Sequence, residues 1–97
     1  MENDLLTWLQ DWYDAQAKDG WEHRYGIRIS TLDNPGWSVT VDLQETPLAD
    51  RPFETVNLDR GERDWVYCWV EEERFEGRGG PHNLAEIVAT FRTFEEA

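Results

Sequence analysis

The chain has 97 residues, one cysteine and six tryptophans, and nine basic residues against twenty-one acidic ones give a net charge of −12. That length supports one domain, residues 1–97, with a core that needs neither metal nor disulfide; the lone Cys68 excludes an intrachain disulfide, and the aromatics exclude the disorder that acidity alone would imply. The charge argues against nucleic acid and anionic membrane as partners, since phosphates are bound by clustered Lys and Arg, and it favours a basic partner.

The start, Met-Glu-Asn-Asp, has no basic leader, and no apolar run is long enough for a signal peptide or a membrane span. With a single unpaired cysteine this leads us to expect a cytoplasmic protein. From about Asp4 to Lys18 the spacing predicts an amphipathic helix. Leu5, Leu6, Trp8, Leu9, Trp12, Tyr13 and Gln16 share one arc, and Thr7, Gln10, Asp11, Asp14 and Lys18 lie opposite. Asn3 or Asp4 can cap its start and Gly20 can end it.

Residues 25–43 then read as a hairpin. Tyr25, Ile27 and Ile29 alternate with Gly26, Arg28 and Ser30, and Trp37, Val39, Val41 and Leu43 alternate with Ser38, Thr40 and Asp42. Period-two alternation places the apolar members on one face and the polar members on the other. Between the strands, Asp33-Asn34-Pro35-Gly36 is turn chemistry, with positive φ expected at Gly36.

Gln44 to Pro52 is a loop bracketed by prolines, which lack the amide a strand ladder needs. Phe53–Leu58 is a short third strand, and Asn57 to Arg63 is polar and turn-like. Asp64–Phe75 reads as one long fourth strand with Trp65, Tyr67 and Trp69 on one side and Val66, Cys68 and Val70 on the other. Gly77-Arg78-Gly79-Gly80-Pro81 breaks it. Asn83 and Glu86 form a capping-box pattern for a last helix whose apolar face holds Leu84, Ile87, Val88, Phe91 and Phe94. The expected fold is α+β: an antiparallel sheet of about four strands with an N-terminal and a C-terminal helix packed on one face.

Candidate chemistry is sparse. The glycine cluster lacks the Lys-Ser/Thr of a phosphate loop and the spacing of a dinucleotide fingerprint, so a strand-to-helix turn explains it better. His23 and His82 lack partners at zinc-ligand spacing. Cys68 lies mid-strand between bulky residues in an acidic chain, whereas reactive thiols occupy electropositive loop or helix ends. No carboxylate pair sits in a motif that shifts its pKa toward acid–base work. The residues point to no enzyme, metal or cofactor.

Leu5-Leu6-x-Trp8-Leu9-Gln10-x-Trp12-Tyr13, Trp21-Glu22-His23-x-Tyr25-Gly26-Ile27 and Thr31-Leu32-Asp33-Asn34-Pro35-Gly36-Trp37 resemble the immunity protein 53 family of bacterial polymorphic toxin systems. Asp64-Trp65 with Cys68, Phe75-x-Gly77-x-Gly79-Gly80-Pro81 and Asn83-Leu84 extend the resemblance over nearly the whole chain. It departs at Ala17, near which relatives often carry a cysteine. The resemblance implies a small cytoplasmic antitoxin that binds and neutralises a cognate toxin domain, without catalytic residues or cofactor. A nuclease is the natural target, since an active site built for phosphate is basic. The alternatives are a small sulfurtransferase using Cys68 and a general acidic nucleic-acid mimic.

Two helices on one sheet face leave the other to solvent, where Arg28, Ser30, Ser38, Thr40 and Asp42 already mark it as polar. A Val66-Cys68-Val70 row accommodates large helix side chains from above, which turns Trp65, Tyr67 and Trp69 outward. The expected toxin-binding set is therefore those three aromatics with Asp42, Glu62, Asp64, Glu71 and Glu73 as an acidic rim.

Overall fold

The computed structural model describes residues 5–97; the expected Asn3 or Asp4 cap lies outside them. Along the chain come α1 (Leu5–Gln16), the short α2 (Trp21–Arg24), β1 (Ile27–Leu32), β2 (Gly36–Asp42), β3 (Val56–Gly61), β4 (Asp64–Glu71), β5 (Arg74–Gly79) and α3 (Leu84–Glu96). The fold is the expected α+β, with five strands rather than four. The sheet order is β1-β2-β5-β4-β3, and every neighbouring pair is antiparallel.

The extra strand comes from the run read as one long fourth strand. Glu72 and Glu73 both have positive φ, 52° and 59°. That pair of left-handed residues is what a two-residue hairpin turn with the right twist requires. Glutamate is a poor choice there, because its Cβ crowds the following carbonyl. Six registered pairs from Val66↔Gly79 to Glu71↔Arg74 hold the hairpin closed regardless. The fold therefore places β5 at the centre of the sheet, and Gly77 and Gly79 lie within it rather than in a turn.

The glycines on β5 set how closely the helix layer approaches. A Cβ on Gly77 would stand 2.4 Å from Ile87 Cγ2, so α3 rests directly on the backbone of β5. Gly36 serves a similar end. Its φ is not among the positive ones, and a Cβ there would meet the Gly79 carbonyl oxygen at 2.3 Å. The glycine at the hairpin is needed for close strand contact, not for the left-handed turn expected of it.

Around this contact the core is aromatic. Phe91 of α3 meets Phe75 of β5 at 5.1 Å between ring centroids, and α1 reaches the same ring through Trp8 and Trp12. Trp21 of α2 packs edge-on to Trp12, and its indole N–H donates to the Gln44 carbonyl at 2.8 Å. Phe53 stands before β3, not in it, and packs on Phe75 and Phe94. Arg51 caps the other end of α3, its Nη1 donating to the carbonyls of Phe94, Glu95 and Ala97, where cationic charge also suits the helix dipole.

Only part of the α1 arc is core. Leu9 and Trp12 are buried, but Leu6 and Tyr13 are 59% and 40% exposed. At the start of α3, Asn83 makes no side-chain cap hydrogen bond. Its amide group instead donates to Asp64 and Glu86 and its Oδ1 lies 3.4 Å from the Trp65 N–H, tying α3 to β4.

Two measurements check this account. Gly77→Ala should cost about 1–3 kcal/mol by overpacking and Ile87→Ala about 2–5 kcal/mol; the double variant should be less destabilised than their sum by about 1 kcal/mol or more. Additive losses in urea unfolding would show that the glycine does not seat the helix. Glu72→Asn combined with Glu73→Gly should raise stability by about 1 kcal/mol, because both new residues tolerate positive φ. An unchanged unfolding midpoint would contradict a strained turn.

Candidate toxin-binding face

Directly paired residues in an antiparallel sheet point to the same face, so the registers sort every side chain. Val39, Val41, Val66, Cys68 and Phe75 are buried beneath the helices. The opposite face carries Arg28, Ser30, Ser38, Thr40 and Asp42 from β1 and β2, and Arg74, Glu76 and Arg78 from β5. Trp65, Tyr67, Trp69 and Glu71 continue it from β4, and Asn57 and Asp59 from β3.

Tyr67 and Trp69 form the centre of interest. Their rings lie 4.7 Å apart at a 30° tilt, and the Arg78 guanidinium sits 5.2 Å from the Trp69 ring centroid. Tyr67 is 39% exposed. A tilted ring pair with a cation over one of its rings is an apolar patch in a polar field.

Beside it lies a carboxylate with three donors. Glu76 Oε1 accepts from Thr40 Oγ1 at 2.8 Å and Arg78 Nη2 at 3.2 Å, while Oε2 accepts from Arg74 Nε at 3.1 Å. Burial by itself would push the Glu76 carboxyl up, but Thr40, Arg74 and Arg78 together outweigh it and hold the group below its ordinary value. Asp42 is similarly engaged, accepting from the Gly26 N–H at 3.0 Å and from the Arg28 guanidinium.

The expected acidic rim does not assemble as one. Asp42 is on the open face but is already neutralised by Arg28. Asp64 points the other way: Arg60 holds its carboxylate at 2.8 Å, bridging it to Glu86 at the start of α3. Those contacts lower the pKa of Asp64, Arg60 being the largest cause and Asn83 the next. Glu62 lies in the β3–β4 turn, where it and Trp65 border a cleft of about 540 Å³ against the Asp33-Asn34-Pro35 loop. Glu71 and Glu73 lie at the end of β4 away from Glu62, at the hairpin tip that also carries Glu72. The acid closest in sequence to the aromatic pair is thus the tip 71–73. Arg74, Glu76 and Arg78 were missed because β5 was hidden inside a longer strand and a presumed glycine turn; their alternation with Phe75, Gly77 and Gly79 was the available signal.

The alternatives gain nothing from the geometry. Cys68 is fully buried and burial pushes its thiol up to about 12, so it is neither ionised nor reachable by a sulfur donor. The open face, with arginines 28, 74 and 78 interleaved among its acids, lacks the one-sign field of a nucleic-acid mimic. No described helix is long and apolar enough to cross a membrane.

The Glu76 cluster has a pH signature. A carboxylate depressed by folding stabilises the protein above its ordinary pKa, and that contribution is lost as pH falls through the depressed folded value. Glu76→Gln should cost about 2 kcal/mol at neutral pH, since hydrogen bonds to a buried charge are lost. Its stability should then fall less steeply than the parent's on acidification below the ordinary glutamate range. Parallel acid limbs in urea titrations would exclude this role.

No curated protein and no solved structure matches the chain. The sequence model described as Immunity protein 53 matches residues 6–96, nearly the whole length. The chain belongs to the Immunity protein 53 family, whose members act against toxins.

Proposed function

We propose that this protein neutralises a cognate bacterial toxin domain in the cytoplasm by laying the open face of its sheet over the toxin, without turnover of its own. The tilted, close-packed Tyr67–Trp69 pair, braced by Arg78 on a face no described helix covers, carries this reading. Ordered aromatics anchor interfaces because they bury large area for little lost rotamer freedom. Trp65 extends the row toward the Asp33–Pro35 loop. Glu71, Glu72 and Glu73 at the hairpin tip supply unburied negative charge at the other end. Such a tip steers encounter with a basic surface, as at the phosphate-binding active site of a nuclease. Blocking that cleft is the mode of inhibition we favour.

Binding of the toxin domain encoded beside this gene tests the assignment. Tyr67→Ala should weaken affinity by about tenfold or more, mainly through faster dissociation. Glu71→Lys with Glu73→Lys should slow association and flatten its salt dependence. Folded variants that bind as tightly and as fast as the parent would remove this face from the function.

A further inference from the structure

The two edges of the sheet are not equivalent. On β3 the register slips between Asp59 and Gly61, and Asp59 and Arg60 are exposed. A bulge and an exposed charge outside any ion pair, here Asp59, since Arg60 is engaged by Asp64 and Glu86, are the usual protection of an edge against further pairing. β1 has neither. Its six residues pair with β2 without a slip, it contains no proline, and its one charged residue, Arg28, is turned onto Asp42.

The ladder's phase fixes which backbone groups of β1 are free. The Asp42 N–H donates to the Gly26 carbonyl, so Gly26 and Asp42 stand as a hydrogen-bonded pair. Pairs then alternate along the strand, and the N–H and C=O groups of Ile27, Ile29 and Thr31 turn away from β2. Among the described residues, no backbone bond from another loop or helix engages them. The side chains of the same three residues face the helix side, where Ile29 is 41% exposed. There an open groove of about 370 Å³, lined by Leu9, Tyr13, Tyr25 and Ile27, runs between α1 and the strand. Exposed Leu6 lies one turn along α1.

We infer that β1 is a docking edge for an extended segment of the toxin, which adds as a sixth strand and drops alternate apolar side chains into the α1–β1 groove. Unpaired backbone groups in register call for a strand, and the adjoining groove calls for apolar residues at every second position. A second copy of this chain is a poor occupant. Each copy carries −12, and the symmetric pairing that sets Ile29 against Ile29 sets Arg28 against Ser30, gaining no ion pair. A basic partner has no such conflict. The inference rests on the toxin-binding reading and extends it. The outer side of β1 is three strands, roughly 14 Å, from the aromatic row on β4, so one partner burying about 800 Å² a side can reach both.

Residue-resolved hydrogen exchange tests this on the intact protein, free and bound to an inactivated form of the toxin domain encoded beside its gene. In the complex the amides of Ile27, Ile29 and Thr31 should slow by about tenfold or more. Those of Arg28 and Ser30, already bonded to β2, should change little. Ile29→Pro removes only an outward donor and should keep the fold while weakening binding by about tenfold; Ser30→Pro, which breaks an internal bond, is the unfolding control. Ile29→Lys should weaken binding with an intact backbone. A complex that leaves the three amides unprotected overturns the edge and spares the open face. The same protection appearing in the free protein as its concentration rises assigns the edge to a second copy and overturns the toxin strand. Absence of any complex overturns both this inference and the functional reading.

Discussion

The seat of α3 on β5 is the contact on which the rest depends. Ile87 occupies the space that side chains at positions 77 and 79 would fill, so the helix approaches the backbone of the central strand. That brings Phe91 and Phe94 down onto Phe75, and α1 then closes over Phe91 with Trp8 and Trp12. With both long helices committed to one side, the other side of a five-stranded sheet has no helix over it among the described residues. The open face follows directly from the glycines under α3.

The acid excess is distributed in a way that favours this arrangement. Among the described residues, Arg24, Arg28, Arg60, Arg74, Arg78 and Arg92 form ion pairs. Arg51 caps α3. The pairs at Glu76 and Asp42 are sheltered and bear on structure; the exposed ones, such as Arg24 with Glu45, contribute little. Carboxylates without such partners gather at turns and helix surfaces, so the charge shows at the rim of the molecule more than on its open face.

What was legible in the sequence follows from periodicity. Alternation at Ile27–Ile29 and Trp37–Leu43 marked the hairpin, and the 3.6-residue stripes marked α1 and α3. The Val66-Cys68-Val70 row was placed inward on size alone, and Val66 and Cys68 are indeed buried, with Tyr67 outward. β5 was hidden because its turn is Glu72-Glu73, with no Asn or Gly to announce positive φ, and because Gly77 and Gly79 imitate a strand breaker. Asp64 was expected in the acidic rim beside the aromatic row, but one residue along a strand reverses the face, and its carboxylate lies with Arg60 and Asn83 instead. Leu6 and Tyr13 belong to an apolar arc wider than the sheet beneath it, which periodicity cannot reveal.

The polar groups of the open face bear on whether it can bind tightly. Unpaired charges there would have to be desolvated at association, which costs more than most contacts return. Glu76 and Asp42 instead arrive with their acceptors already filled by Thr40, Arg74, Arg78, Arg28 and the Gly26 amide. The same Arg78 that satisfies Glu76 lies against Trp69, so the carboxylate fixes the cation and the cation fixes the ring. Tyr67 in turn packs against that ring at a 30° tilt. The proposed anchor residues are thereby held before any partner arrives, and the entropy of ordering them is met in folding rather than in binding. A face built this way can commit most of its contact energy to affinity, which the proposed inhibition by occupancy would require.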